Sequence, residues 1–364
     1  MADTTKVRVL IVDDSSIVRR MLTEVLNAHP ATEVAGTASS GEVALAKMEQ
    51  LKPDVVTLDV EMPGMDGLET LRQIRQRYPK LPVIMFSTLT MHGGTATLEA
   101  LALGATDYAT KPTNAENLAA AKQQMERDLL MKIVGLKAAV ALRAPRAAHP
   151  TAKTVLRPVQ RRIDIVAVGS STGGPNALFE LIPQLPKDLP IPVLVVQHMP
   201  PLFTRLLADR LRAKSKLTVE EAQAGNRLEA GHVWVAPGDY HMAVARKNMD
   251  VVLELNQGAS ENSCRPAVDV LFRSVARTYG PHALGVVLTG MGSDGAKGAK
   301  AICDAGGEVM VQDEASSVVW GMPGSVVSAG LTDEIYPILK IAAEIVRRVS
   351  TRRWLTAAAS PAKR

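Results

Sequence analysis

Short apolar runs at 7–12, 34–38, 55–58, 83–86 and 106–108 alternate with helix-length amphipathic pieces such as 17–27 and 42–51. Runs that are apolar at consecutive positions predict strands buried on both faces. Five βα units in succession predict an N-terminal five-stranded, doubly wound, flavodoxin-like α/β domain with a parallel sheet, over residues 1–130. The second half keeps the rhythm with longer elements. Segments 163–168, 193–197 and 284–288 read as buried parallel strands, with helices expected at 177–185, 203–213, 268–279 and 298–305. Segments 233–236 and 241–245, separated by Pro237-Gly238-Asp239, read as an antiparallel hairpin. The C-terminal expectation is therefore an α/β domain over 161–350, with a mainly parallel sheet and a hairpin.

Composition agrees with two domains, because 364 residues is long for one. With 46% hydrophobic residues and no apolar run near the ~20 needed to span a bilayer, neither a membrane helix nor a signal peptide is expected, and the chain reads as cytoplasmic. The two cysteines, Cys264 and Cys303, lie far apart and predict neither a disulfide framework nor a thiolate metal site; both are expected as small buried apolar groups. The net charge of +5 is unevenly spread. Residues 131–160 read as a flexible basic linker and 351–364 as a basic tail that begins to build from Arg347. The base-stacking platforms of a single-strand binder are missing, so nucleic acid is not an expected partner.

Polar groups at the carboxyl ends of parallel strands converge on one crevice. In the first domain those ends carry Asp13-Asp14, then Asp59, then Ser87, then Lys111-Pro112. Clustered carboxylates repel one another unless a cation sits among them, and Mg²⁺ with its preference for oxygen ligands suits them. Asp59 could then accept a phosphoryl group whose charge the metal and Lys111 neutralise while Ser87 hydrogen-bonds it. Asp13-Asp14-Ser15-Ser16 and the loop Leu58-Asp59-Val60-Glu61-Met62-Pro63-Gly64 resemble the receiver domains of two-component response regulators. That resemblance implies further that the backbone carbonyl of Glu61 completes the metal site. It also implies that Ser87 and Tyr108 are the switch hydroxyl and switch aromatic, that Lys111 precedes a cis-prone proline, and that a histidine kinase donates the phosphoryl group.

The second domain repeats the device with different chemistry. Ser170 and Ser171 follow its first parallel strand, His198 the second, and Thr289-Gly290-Met291-Gly292-Ser293-Asp294-Gly295 the third. A hydroxyl, an imidazole and a carboxylate in one crevice suit acyl transfer. Ser171 centres a G-x-S-x-G pattern, Gly169 to Gly173, at a strand-to-helix turn. The backbone amides of Thr172 and Met291 are candidate oxyanion donors, an effect of about 3 kcal/mol each. Taken singly, the turn equally suits a helix cap or an anion site, though the absence of a Lys-Ser/Thr pair argues against a nucleotide P-loop. His232, His241 and His282 are rival bases.

The chain order Ser171, His198, Asp294 differs from that of the α/β-hydrolases. Together with Gln197-His198-Met199-Pro200, Val235-Ala236-Pro237-Gly238-Asp239 and Arg265-Pro266 followed by Val268-Asp269, it resembles the chemotaxis protein-glutamate methylesterases, receivers joined to an esterase domain. The resemblance covers nearly the whole chain. It implies hydrolysis of glutamyl methyl esters on methyl-accepting chemotaxis receptors, releasing methanol, deamidation of particular receptor glutamines, and activation by phosphorylation. Ser170 stands where alanine is frequent, which leaves both hydroxyls as candidates. The competing classes are a DNA-binding regulator, disfavoured by the β-rich second half, and a non-catalytic receptor-docking adaptor or phosphate sink.

Overall fold

In the computed structural model, which describes residues 6–112, 118–142 and 162–358, the apolar runs of the first half form β1 (Val7–Val12), β2 (Thr32–Ala38), β3 (Val55–Asp59), β4 (Val83–Ser87) and β5 (Asp107–Thr110). All pair in parallel, in the order β2-β1-β3-β4-β5. Helices α1 (Ser16–Ala28), α2 (Gly41–Leu51), α3 (Gly67–Arg77) and α4 (Met91–Ala102) each start on a side-chain cap. Ser15, Ser40, Asp66 and Thr90 accept the amides of Val18, Val43, Glu69 and Gly93. Each cap contributes about 1 kcal/mol and fixes where a strand-end loop turns into a helix. Because β1 lies between β2 and β3, the winding reverses there, and a crevice opens at the ends of β1 and β3.

The second unit, separated from the first at Pro145, is built on seven strands in the order β14-β13-β12-β6-β7-β9-β8. These are β6 (Ile165–Ser170), β7 (Val193–Gln197), β8 (Thr218–Glu221), β9 (His232–Val235), β12 (Ala283–Val287), β13 (Glu308–Gln312) and β14 (Ile335–Tyr336), all parallel. The helices are α7 (Gly174–Leu181), α8 (Phe203–Lys214), α9 (Val268–Tyr279), α10 (Ala296–Asp304), α11 (Gly321–Ser328) and α12 (Ile338–Ala358). Phe272, Leu271 and Val275 of α9 join Ile165, Leu194 and Val287 in the core under the sheet. The winding reverses between β6 and β12, which again puts a crevice at neighbouring carboxyl ends.

Four expectations are corrected. The hairpin pairs β10 (His241–Lys247) with β11 (Asp250–Asn256), not with β9. Val233, Trp234 and Val235 are buried and pair in parallel with β7, while the reversal occurs at Asn248, which adopts φ 57°. The expected linker is helical at its start. After α5 (Leu118–Met125), a π-helical turn at Glu126–Leu130 leads into α6 (Met131–Leu142), whose Ile133 and Leu136 are buried; residues 143–160 lie outside the described set. The basic tail is also partly structural: α12 runs to Ala358, and Arg348 within it is 3% exposed. Among the described residues the cis peptide precedes Pro266, not Pro112, and no helix is long and apolar enough to cross a membrane.

Arg348 gathers Glu308 at 2.9 Å, Glu344 at 2.8 Å and Glu334, tying α12 to the far edge of the sheet. Burial would raise the Glu344 carboxyl, but Arg347 and Arg348 outweigh it and hold it at about 2. A depressed carboxylate contributes stability above its unfolded value and loses it as pH falls toward the folded one. Replacing Arg348 with Ala removes the shared partner of three half-buried carboxylates, so a loss of roughly 1–3 kcal/mol is expected, measured by chemical denaturation at pH 7. The deficit relative to the parent should shrink as pH drops from 4.5 toward 2, where Glu344 takes up a proton.

Candidate active site and phosphoacceptor site

In the first crevice Asp13 and Asp59 are 1% and 2% exposed. Oxygens of Asp13, Asp14 and Asp59 lie within 4.8 Å of one another, a set of hard ligands able to hold a cation. Lys111 Nζ reaches Asp13 Oδ2 at 2.9 Å and Asp59 Oδ2 at 2.7 Å. Burial, together with the neighbouring Asp13 charge, raises the Asp59 carboxyl to about 6 in spite of Lys111. The Glu61 amide donates to Asp59 Oδ1 at 3.2 Å, while its carbonyl accepts no hydrogen bond among the described residues. Ser87, on the neighbouring strand end, is 1% exposed. These features fit a divalent cation beside Asp59: two buried carboxylates, a third exposed one, and a free carbonyl.

Tyr108 is buried, and its surroundings were not legible in the sequence. Lys132 of α6 donates to its carbonyl at 2.6 Å, lies 4.7 Å from its ring centroid, and pairs with Asp107 at 3.0 Å. A residue expected to belong to a linker thus grips the residue expected to switch. The sequence signal was the loss of acidic residues after Asp128, which hid a helix whose Lys132 points back at β5.

In the second crevice the two serines separate. Ser170 is fully buried and its hydroxyl donates to Gln197 Oε1 at 2.7 Å, while Gln197 Nε2 donates to the carbonyls of Ser171 and His198 at 3.0 and 3.2 Å. Ser171 stays half-buried, with an amide donating to Thr289 O at 3.0 Å and a hydroxyl that forms no hydrogen bond among the described residues. Two glycines make this turn possible. Gly173 takes φ +75° at the start of α7, and a Cβ on Gly290 would stand 2.9 Å from Ser171 Cβ and 2.2 Å from Met322 Sδ. The amides of Thr172 and Met291 donate no hydrogen bond among the described residues.

His198 Nε2 meets Asp294 Oδ2 at 2.8 Å. Asp294 also accepts the amides of Val268, Asp269 and Gly295 at 2.7, 3.0 and 2.9 Å, so its carboxylate sits on the N-terminus of α9. Burial would raise that carboxyl, but His198 and the Val268 and Asp269 amides outweigh it and hold it below the usual range. For His198, burial would lower the imidazole, yet the bonds to Asp294 and Cys264 raise it to about 9. The usual triad has its carboxylate on Nδ1; here Asp294 meets Nε2 and Nδ1 faces Cys264.

Sequence reading missed Gln197 as the serine sorter, Asn262 as a bridge, and Cys264. Asn262 Nδ2 donates to Asp269 Oδ2 at 3.0 Å and Asp294 Oδ1 at 2.8 Å. Cys264 is half-buried with Sγ 3.4 Å from His198 Nδ1, rather than an inert apolar group. The rival bases are placed elsewhere. His241 bonds Ala259 O and the Ala267 amide, His282 bonds Arg162 O, and His232 packs on Trp234.

Residues 166–345 match the CheB methylesterase family and residues 9–123 the response regulator receiver domain. The chain is 50% identical over 349 residues to the protein-glutamate methylesterase/protein-glutamine glutaminase of Trichodesmium erythraeum, covering 94% of this chain and 99% of that one. It is 46% identical over 361 residues to the protein of the same name from Nocardioides sp., covering 95% and 96%. It is also similar to the crystal structure of the Thermotoga maritima CheB methylesterase catalytic domain, with 44% identity and a TM-score of 0.50, covering 51% of this chain and 99% of that one.

The imidazole of His198 should titrate near 9 in nitrogen-resolved NMR. Asp294→Asn should lower it, because burial is then opposed by the Cys264 contact without the Asp294 charge. An unchanged titration would show that Asp294 does not hold this ring.

Proposed function

Since the chain belongs to the CheB methylesterase family, with a response regulator receiver domain ahead of the catalytic part, we propose that it hydrolyses glutamate γ-methyl esters on chemoreceptors through a Ser171 nucleophile. The observation that carries this reading is the His198–Asp294 pair at 2.8 Å, held at strand ends that flank Ser171. Ser171 Oγ attacks the γ-carbonyl and His198 Nδ1 takes the hydroxyl proton. The amides of Thr172 and Met291 receive the oxyanion. His198 then returns the proton to the leaving methoxide, and methanol departs from a glutamyl-serine ester. Water, deprotonated by the same nitrogen, opens that ester to give glutamate. A receptor glutamine follows the same route with ammonia as the leaving group, which supports a second, glutaminase activity.

The receiver supplies the control. Asp59 is the phosphoacceptor, and a chemotaxis histidine kinase is the phosphodonor that suits it. Asp13, Asp14, Asp59 and the Glu61 carbonyl would hold Mg²⁺, which when bound neutralises charge on the transferring phosphoryl group. Lys111 is already in place on the acceptor carboxylate, 2.7 Å from Asp59 Oδ2. Ser87 and Tyr108 answer the new phosphoryl charge, and Lys132 links Tyr108 to α6.

Incubation with methyl-esterified receptor fragments and measurement of methanol tests the nucleophile. Ser171→Ala should lower release roughly a thousandfold or more. Ser170→Ala should remain active and lose about 1 kcal/mol of stability with its buried bond to Gln197. Wild-type rates in both variants would remove Ser171 from its role. Adding a small phosphodonor with Mg²⁺ should raise the rate of the parent enzyme and leave Asp59→Asn at its basal rate; activation of that variant would sink the phosphoacceptor assignment.

A further inference from the structure

The loop between β11 and α9 touches both members of the base pair. Within it, Glu261 and Cys264 exchange backbone bonds of 3.1 and 2.8 Å, and Arg273 of α9 pins Glu261 at 2.5 Å. Asn262 reaches forward to Asp294, and Cys264 Sγ lies 3.4 Å from His198 Nδ1. With Asp294 on Nε2, Nδ1 is the nitrogen that must accept the Ser171 proton, and in the resting enzyme a thiol stands against it. Ser171 meanwhile has no hydrogen bond to His198 among the described residues.

We propose that Cys264 is a positioning residue of the esterase: its sulfur holds His198 Nδ1 toward the crevice in the resting enzyme and releases it to the Ser171 hydroxyl as substrate enters. This rests on the Ser171–His198–Asp294 reading. A single proton serves the contact, carried either by sulfur and donated to a neutral imidazole or by Nδ1 and donated to a thiolate. The charged and titratable groups facing His198 are Asp294 and Cys264 directly, with Asp269, Arg273 and Glu261 behind them. Burial lowers the imidazole, whereas Asp294 and then Cys264 raise it. Removing the sulfur therefore shifts the base toward lower pH.

The test uses the full-length phosphorylated enzyme and methyl-esterified receptor fragments. In the parent, kcat rises with pH as His198 loses its proton, toward about 9. Cys264→Ala should move that rising limb down by roughly half a pH unit or more with KM little altered. Cys264→Ser, which keeps a hydrogen-bonding group, should restore much of the parent profile. Iodoacetamide provides a second arm on the folded parent protein. The Cys264 sulfur displaces iodide, its proton leaves to solvent, and the new S–C bond puts a carboxamidomethyl group against Nδ1. A loss of roughly a hundredfold in kcat is expected, with Cys264→Ser resistant although it retains Cys303. An unmoved limb in Cys264→Ala, or full activity after mass spectrometry shows Cys264 alkylated, overturns the proposal. If Ser171→Ala still hydrolyses ester, the triad reading itself fails; an inactive Ser171→Ala with those null results removes the thiol's role alone.

Discussion

The carboxylate of Asp294 is the constraint on which the crevice of the second unit depends. It is 2% exposed, and a buried charge of that kind costs several kcal/mol unless every lone pair finds a donor. Here five donors converge on it: the amides of Val268, Asp269 and Gly295, the Asn262 amide, and His198 Nε2. The Val268 and Asp269 amides are fixed by the start of α9 and that of Gly295 by the start of α10, and Asp269 in turn accepts the Gly298 amide of α10 at 2.7 Å. Two neighbouring helices are thereby cross-capped by two carboxylates from each other's starts. The position of the His198 ring is set by this packing.

The first crevice solves the same electrostatic problem in a different way. Asp13 and Asp59 have one ammonium, Lys111, between them and few amide donors, so Asp59 is raised where Asp294 is lowered. An under-compensated carboxylate cluster is the right starting point for a group that must bind a cation and accept a phosphoryl group. A fully satisfied carboxylate is the right one for a group that must stay ionised while it orients an imidazole. Both lie where strand order reverses, so one topological rule produces two sites whose chemistry differs through the donors around the acid.

The parallel strands were legible because their side chains are apolar on both faces: Val166, Ala167 and Val168 in β6 and Val286 and Val287 in β12 are fully buried. That same pattern located the residues at the strand ends. What it could not supply was pairing. Val233 to Ala236 read as half of a hairpin because a Pro-Gly-Asp turn follows, yet Val233, Trp234 and Val235 pair in the parallel sheet. The segment after residue 130 read as linker because its charge is one-signed. Its apolar positions, Ile133 and Leu136, nevertheless complete a helix that packs on the receiver. Arg348 read as tail charge because its three glutamates come from β13, from the approach to β14 and from one turn earlier in α12, partners that periodicity along the chain does not reveal.

The meeting of Asp294 with His198 Nε2 follows from strand order. Ser170 pairs with Gln197 across β6 and β7, and His198 N bonds Ser170 O at 3.2 Å, so Ser171 and His198 sit side by side one step past the register. Adjacent strands are about 4.8 Å apart, a reach that suits the near ring nitrogen, Nδ1. Asp294 comes from the loop after β12, on the far side of β6 from β7. The imidazole meets it through Nε2, the ring nitrogen farther from the backbone. A serine on the central strand, with the histidine on one neighbour and the aspartate beyond the other, therefore sets which nitrogen meets the carboxylate. It also leaves Nδ1 facing the loop that brings in Cys264.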